Sequence, residues 1–416
     1  MDADKTRVYL ERSKSSPINV WLDKDGSLSP HDPLLQVIPH TTDRLKALAV
    51  EGSPGNIQAI TAHLCRPAPF LDFLSIDGGC AFEPERNPMV ATALFNGDLS
   101  SLHVFSLQSV RTELPWRNMV NLTSFTLCHI LPADVSIGRL LDFFESAPHL
   151  HKIQLYSATP TSGTQDGRLV SLACLKSMAI AGKDPSSLLL DHLLIPIGAK
   201  LTISMDSRGF LIEDRLPRSL NNLRNLSNFT KINLRLCGSP RMRFTGPNGR
   251  VSMYSFPPAA NITHLVLESL ARFDTSKTEQ LKIFHGNPSS MIAPYRALFS
   301  MGNLRGLTLA QCGNPYFINA LHPAFLTSDV VVCPKLEELV LILRPYEDVN
   351  FNIECVISMA AARASRGSKL KSVRIVNWDE LTTLEAWNLR RHVLHVECGP
   401  GVDVANDDSD SSDGED

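Results

Sequence analysis

The pattern L-x-x-L-x-L, with apolar substitutions, recurs along most of this chain and restricts its fold more than any other feature. It runs through Leu45, Leu48, Val50; Leu71, Leu74, Ile76; Leu102, Phe105, Leu107; Leu122, Phe125, Leu127; Leu150, Ile153, Leu155; and Leu175, Met178, Ile180. It continues through Phe229, Ile232, Leu234; Ile262, Leu265, Leu267; Leu304, Leu307, Leu309; Leu336, Leu339, Leu341; and Leu370, Val373, Ile375. The last two apolar positions of each copy are two residues apart, so in a strand they share one face. The first lies just ahead of the strand and turns into the same core. One such strand cannot bury its apolar side alone, whereas parallel neighbours stacked together can. Leu201–Ile203 and Val393–Val396 read as degenerate copies, and Ile18–Leu22 as an N-terminal edge strand.

The return paths carry partly helical spacing over 54–64, 87–95, 136–147, 185–195 and 352–364, with Pro54 and Pro185 suited to a first helical turn. Pro148, Gly302 and Pro334 punctuate the approach to three of the strands. The position three past the last apolar residue, usually Asn or Cys in leucine-rich repeats, is Cys312 in one copy but Val110, Ile130, Ala158 or Leu270 elsewhere. The segment 241–255 departs from the rhythm: Asn248-Gly249 between Arg241–Gly246 and Arg250–Ser255 predicts a β-hairpin. It reads either as a basic arm gripping a partner or as an insertion on the convex face. The expected architecture is α/β: a leucine-rich-repeat solenoid, with a curved parallel β-sheet on the concave face and helices and irregular segments on the convex face. It spans 17–400, after a lead-in over 1–16.

Charge is distributed unevenly. The segment 401–416 holds Asp403, Asp407, Asp408, Asp410, Asp413, Glu415 and Asp416 without Lys or Arg, so removing these seven from the net of −3 leaves +4 on the remainder. With so few apolar residues the segment cannot offset the entropy of ordering and is expected to be a disordered acidic tail. It reads as a solubilising end, or as a docking site for a basic partner with Ser409, Ser411 and Ser412 open to phosphorylation. No apolar run approaches the ~20 residues of a membrane helix, and no secretory signal is visible, so an intracellular protein, cytoplasmic or nuclear, is expected. The nine cysteines approach no closer than Cys65 and Cys80, without C-x-x-C spacing, and are expected to be small buried or half-buried residues. Sequons begin at Asn121, Asn225, Asn228 and Asn261, but glycosylation is not expected without a signal peptide.

Signs of chemistry are missing from the sequence. It contains no phosphate-binding G-x-x-x-x-G-K-[ST], no H-E-x-x-H and no G-x-S-x-G. The pairs His149/His151 and His392/His395 lack a carboxylate or Cys to complete a metal set, and Glu337-Glu338 would point to opposite faces of a strand. No catalytic residue, metal or cofactor is expected. What the pattern does provide is a row of side chains flanking the apolar positions on the opposite face of each strand. The candidate partner-binding strip is Phe73, Asp77, Gln108, Lys152, Gln154, Tyr156, Lys231, Asn233, Arg235, His264, Glu268, Glu338 and Arg374.

The opening Tyr9–Asp23, with Pro17 and Trp21, resembles the segment that follows the F-box in mushroom-type fungal F-box/leucine-rich-repeat proteins. Val37-Ile-Pro-His40, Leu74-Ser-Ile76, and Leu114-Pro-Trp116 followed by Asn121–Phe125 continue the likeness, which covers about residues 5 to 400. In that family an F-box docks on a cullin-type ubiquitin ligase and the repeats choose the substrate. The resemblance therefore implies the substrate-recognition part of such a receptor, here without the N-terminal F-box, so that a ligase adaptor becomes a partner only through a longer form. The competing reading is a nucleic-acid-binding or scaffold solenoid with no ubiquitin role, suggested by the +4 body and by Lys231, Arg235, Arg241 and Arg243.

Overall fold

The computed structural model describes residues 3–24, 35, 38–79, 87–90, 94–112, 118–130, 135–158, 167–182, 187–205, 217, 219–226, 228–237, 240–247, 251–255, 262–312, 315–324, 330–343, 352–377 and 381–399. The tail over 401–416, Pro185 and the Asn248-Gly249 turn lie outside them. The chain divides into two compact units, Met1–Ser227 and Asn228–Asp416.

The first unit opens with helix α1 (Ala3–Ser13). Its main sheet comprises β1 (Ile18–Lys24), β2 (Leu45–Gly52), β3 (Phe73–Asp77), β4 (Val104–Gln108), β5 (Ser124–Cys128), β6 (Lys152–Tyr156), β7 (Ser177–Gly182) and β8 (Lys200–Met205). Each strand pairs in parallel with the next in sequence. The register matches the repeat: Leu48, Leu74, Phe105, Phe125, Ile153, Met178 and Leu201 form one row, and Val50, Ile76, Leu107, Leu127, Leu155, Ile180 and Ile203 the next. Both rows are buried, as are the leading residues Leu45, Leu71, Leu102, Leu122, Leu150 and Leu175. The backbone N–H of Leu71, Leu102, Leu122, Leu150 and Leu175 closes a tight turn onto the carbonyl three residues earlier, which aims each into the core.

Helices cover part of this unit. In α2 (Pro54–Ala62), Pro54 occupies the first turn after an extended Ser53. In α3 (Ile137–Ser146), the Ser136 hydroxyl accepts from the N–H of Arg139, and Phe143 and Phe144 pack on Phe125 with ring centroids 4.5 and 6.2 Å away. Two expected helices are corrected. Among the described residues of 87–95 the chain forms a two-residue strand, Met89–Val90, paired with Arg111–Thr112, and then enters a left-handed turn, with φ of 54° at Phe95 and 58° at Asn96. Among the described residues of 185–195 only α4 (Ser187–Leu190) is helical, and Leu193–Leu194 pairs with Val170–Ser171. In both stretches the backbone hydrogen-bonds to an adjacent return path instead: the Arg111 N–H donates to the Pro88 carbonyl and the Val170 N–H to the His192 carbonyl, each at 2.8 Å.

In the second unit, β9 (Lys231–Arg235) lies between an antiparallel hairpin, β10 (Arg241–Thr245) and β11 (Val251–Ser255), and a parallel series. That series is β12 (Gln280–Phe284), β13 (Gly306–Ala310), β14 (Glu338–Ile342), β15 (Ser372–Val376) and β16 (His395–Gly399). The hairpin is thus neither a free arm nor a convex-face insertion, because β10 continues the sheet itself. Met242 and Phe244 are its buried pair, and Phe244 packs between Phe229 and Phe273 at 4.8 and 4.6 Å.

A further correction concerns 262–267. These residues form helix α5 (Ile262–Leu270), which buries Thr263, Val266, Leu267 and Leu270. Their spacing satisfies the helical period as well as the repeat, and a short apolar run fits either. The strand expected there is β12, where Leu281 and Ile283 are the core pair and a wholly buried Thr278 stands in the leading position. Helices α6 (Ile292–Phe299), α7 (Tyr316–Leu321), α8 (Ile353–Ser365) and α9 (Thr383–Arg390) then alternate with the strands. From α5 to α9 each helix packs on the next, so the helical layer follows the strand order.

A recurring feature ends the strands. Ser109, His129 and Ser157 in the first unit, and His285, Gln311 and Asn377 in the second, sit two residues past the last core position with φ between 47° and 62°. Their N–H groups point sideways: Ser109 donates to Cys128 at 2.9 Å, His129 to Tyr156 at 2.7 Å, His285 to Ala310 at 2.8 Å and Asn377 to Gly399 at 3.0 Å. Gly78, whose N–H reaches Gln108, has no room for a Cβ, which would lie 2.2 Å from the Ser109 carbonyl oxygen.

Candidate functional interface

Alternation along each strand places a second set of side chains opposite the buried rows. In the first unit the middle row of this face is Ala49, Ser75, Ser106, Thr126, Gln154, Ala179 and Thr202, nearly all small. Larger groups stand on either side. Phe73 is half-buried, with its ring 5.8 Å from that of the exposed Trp21. Gln154 links two strands: its Oε1 accepts from the Thr126 hydroxyl at 3.1 Å, and its Nε2 donates to the Tyr156 hydroxyl at 3.1 Å. Lys152 is exposed at the start of the same strand.

Asp77 and Gln108 are direct neighbours at the strand ends. The Asp77 carboxylate accepts from the Gly79 N–H at 2.9 Å. Burial nevertheless raises its pKa above the ordinary carboxylate value, only partly offset by that hydrogen bond and by nearby His129. Burial and the Asp77 charge likewise push the Cys128 thiol up, which keeps it protonated and a poor nucleophile at neutral pH.

In the second unit β9 presents Lys231, Asn233 and Arg235, and pairing brings other residues beside them. Lys231 is flanked by Thr245 and Gln280, Asn233 by Arg243 and Lys282, and Arg235 by Arg241 and Phe284. Lys282, Gln280 and Phe284 are missing from the sequence-derived strip because their strand is missing from it; a search that admitted Thr as the leading residue finds them. Glu338 and Arg374 lie on β14 and β15, and Arg374 approaches Glu397 of β16 at 3.7 Å. The row that ends the strands, Phe284, Ala310, Ile342 and Val376, is apolar, and its last three members are buried.

His264 and Glu268 are corrected as members of this strip. Both belong to α5, where they face each other one turn apart, His264 Nε2 to Glu268 Oε1 at 3.4 Å, with Arg296 of α6 3.9 Å from Glu268. They place an imidazole beside a carboxylate on the helix surface. The structure therefore groups Thr126 with Gln154 and Tyr156, Asp77 with Gln108, and Lys231, Asn233 and Arg235 with the hairpin cations.

Of the cysteines, Cys65, Cys174 and Cys398 are exposed rather than buried. Among the described residues no group of three or more His, Cys, Asp or Glu side chains could hold a metal ion. No helix among them is long and apolar enough to cross a membrane. Comparison of the chain with protein-family models and with curated proteins of known role gives no match to either.

Proposed function

We propose that this chain is a leucine-rich-repeat solenoid that binds another protein through the second face of its sheets and carries out no chemistry. The observation that carries the reading is the register. Parallel strands hold their second-face side chains in straight rows, one contribution per strand, so that a partner meets many weakly committed groups at fixed spacing. Within this reading the fungal F-box/leucine-rich-repeat resemblance supplies the narrower role, the substrate-recognition part of a ubiquitin-ligase receptor. Ligase coupling belongs to that resemblance alone, because function follows sites rather than folds.

Affinity capture from cell extract with the wild type beside a Lys152→Ala, Tyr156→Ala, Arg235→Ala variant tests the strip. Partners retained by the wild type and lost by the variant support it, and identical capture by both rules it out. One observation favours a second reading, a nucleic-acid surface: the grouping of Lys231, Arg235, Arg241, Arg243 and Lys282 on adjoining strands. Such binding weakens steeply as salt rises, whereas a mixed protein interface responds less.

A further inference from the structure

The second unit contains a concentration of positive charge that the repeat pattern does not require. On β9, β10 and β12 the second face offers Lys231, Arg235, Arg241, Arg243 and Lys282, and none of these strands, nor β11, contains Asp or Glu. Glu279, one residue ahead of β12, is outside the strand. Arg235 and Arg241 stand directly opposite each other across the β9–β10 pair, which brings two positive charges side by side. Arg243 and Lys282 repeat the arrangement one row down, on either side of the neutral Asn233. The cluster thus holds two sets of cations spaced along adjoining strands, which suits an extended chain of carboxylates better than a single small anion.

The sequence supplies such a chain close by. The segment that follows β16 carries seven acidic residues between Asp403 and Asp416 and no base. It leaves the sheet at Gly399. From there β12 is four strand spacings away and β10 six, or about 19 and 29 Å at about 4.8 Å per strand. The eleven residues from Gly399 to Asp410 reach up to roughly 36 Å when extended, so the acids at 407–416 can lie across the cations without disturbing the sheet. We propose that the basic face of β9, β10 and β12 docks the chain's own acidic segment 403–416. The docked segment covers Lys231, Asn233 and Arg235 of the second unit, and a partner reaches those residues only by displacing it. This last consequence rests on the binding role proposed above; the docking itself does not.

The test needs no partner, so its outcome is separate from that of the capture experiment. A full-length variant with the seven tail acids replaced by Asn or Gln is titrated with a labelled peptide of sequence 401–416, followed by fluorescence anisotropy. The variant is expected to bind the peptide, and to bind it about tenfold more weakly when salt is raised from roughly 50 to 300 mM, because exposed charges are screened. The wild type, with its own tail at an effective concentration near millimolar, is expected to bind the added peptide about tenfold more weakly than the variant. Adding Arg241→Gln and Arg243→Gln to the variant should abolish binding, whereas Lys46→Gln with Lys176→Gln in the first unit should not, and circular dichroism checks that each protein is folded. Absence of peptide binding, equal binding by the wild type and the tail variant, or indifference to Arg241→Gln and Arg243→Gln overturns the proposal. So does an oligonucleotide of equal charge that occupies the same arginines far more tightly than the peptide.

Discussion

Arg363, on α8, is wholly buried, and its two terminal nitrogens donate to the carbonyls of Val332 and Cys333 at 2.7 and 2.8 Å. Burial lowers its pKa from the ordinary guanidinium value, and the same enclosure pushes the Cys333 thiol up to about 12. The side chain acts as a clamp on the turn that delivers Leu336 to the core, where the Leu336 N–H also donates to the Cys333 carbonyl at 3.0 Å. Removing it takes one hydrogen bond from each of two carbonyls and leaves a cavity, so Arg363→Ala is expected to cost about 3–5 kcal/mol in urea unfolding. A loss below about 1 kcal/mol would show that water replaces the guanidinium without penalty. Asp77 gives the opposite sign. Its pKa is raised on folding, so its contribution is most favourable where it is protonated and is lost as pH rises through the carboxylate range. Asp77→Asn, which keeps an oxygen for the Gly79 N–H, is expected to raise the urea midpoint at pH 7, with the gain vanishing below about pH 4. A variant less stable than the wild type at pH 7 would mean that His129 outweighs burial. Neither residue announces itself in the sequence, because an Arg inside an apolar helix and an Asp at a strand end look like surface positions until neighbouring segments close over them.

Elements were legible where two signals agreed. The strands around Leu155, Leu309 and Leu341 combine the L-x-x-L-x-L spacing with a turn residue ahead of it, and all three of these residues are buried in register. The helix at 353–365 combines apolar period with a capping Asn352, whose side chain accepts from the Glu354 N–H at 2.9 Å. Where one signal fitted two structures equally the reading failed. Ile262, Leu265 and Leu267 fit a strand and a helix equally, and β12 was hidden because its leading residue is Thr278. That residue is fully buried, and its hydroxyl finds no hydrogen-bond partner. An apolar side chain of the same shape avoids the desolvation, so Thr278→Val is expected to raise stability by about 1 kcal/mol, read from the shift in the urea midpoint. Destabilisation by Val would instead point to an ordered water on the hydroxyl. The candidate strip suffered for the same reason: misplacing one strand exchanged Lys282 and Phe284 for His264 and Glu268.

At the scale of the whole molecule, contacts in each unit run mainly between elements adjacent in the stack. A lesion should therefore remain local. Leu127, buried in the middle of the first unit, is expected to lose about 2–5 kcal/mol on replacement by Ala. Hydrogen exchange followed by mass spectrometry should then show β4, β5 and β6 losing protection first and most, with β1 and β8 changed least. Uniform acceleration over all eight strands would indicate one cooperative core instead of a nearest-neighbour stack.

The bend that closes the strands has its own consequence. At Ser109, His129, Ser157, His285, Gln311 and Asn377 the backbone is turned out of the sheet by a left-handed residue, and at Ser109, His129, His285 and Asn377 the bend is pinned to the neighbouring strand by an N–H. Strand geometry is thereby decoupled from whatever follows it. Nature can lengthen, shorten or rewrite the connections one at a time while the rows of side chains stay aligned. That freedom accounts for intervals of 20 to 31 residues between leading leucines in the first unit, and it lets such a chain acquire new specificities without inventing a new scaffold.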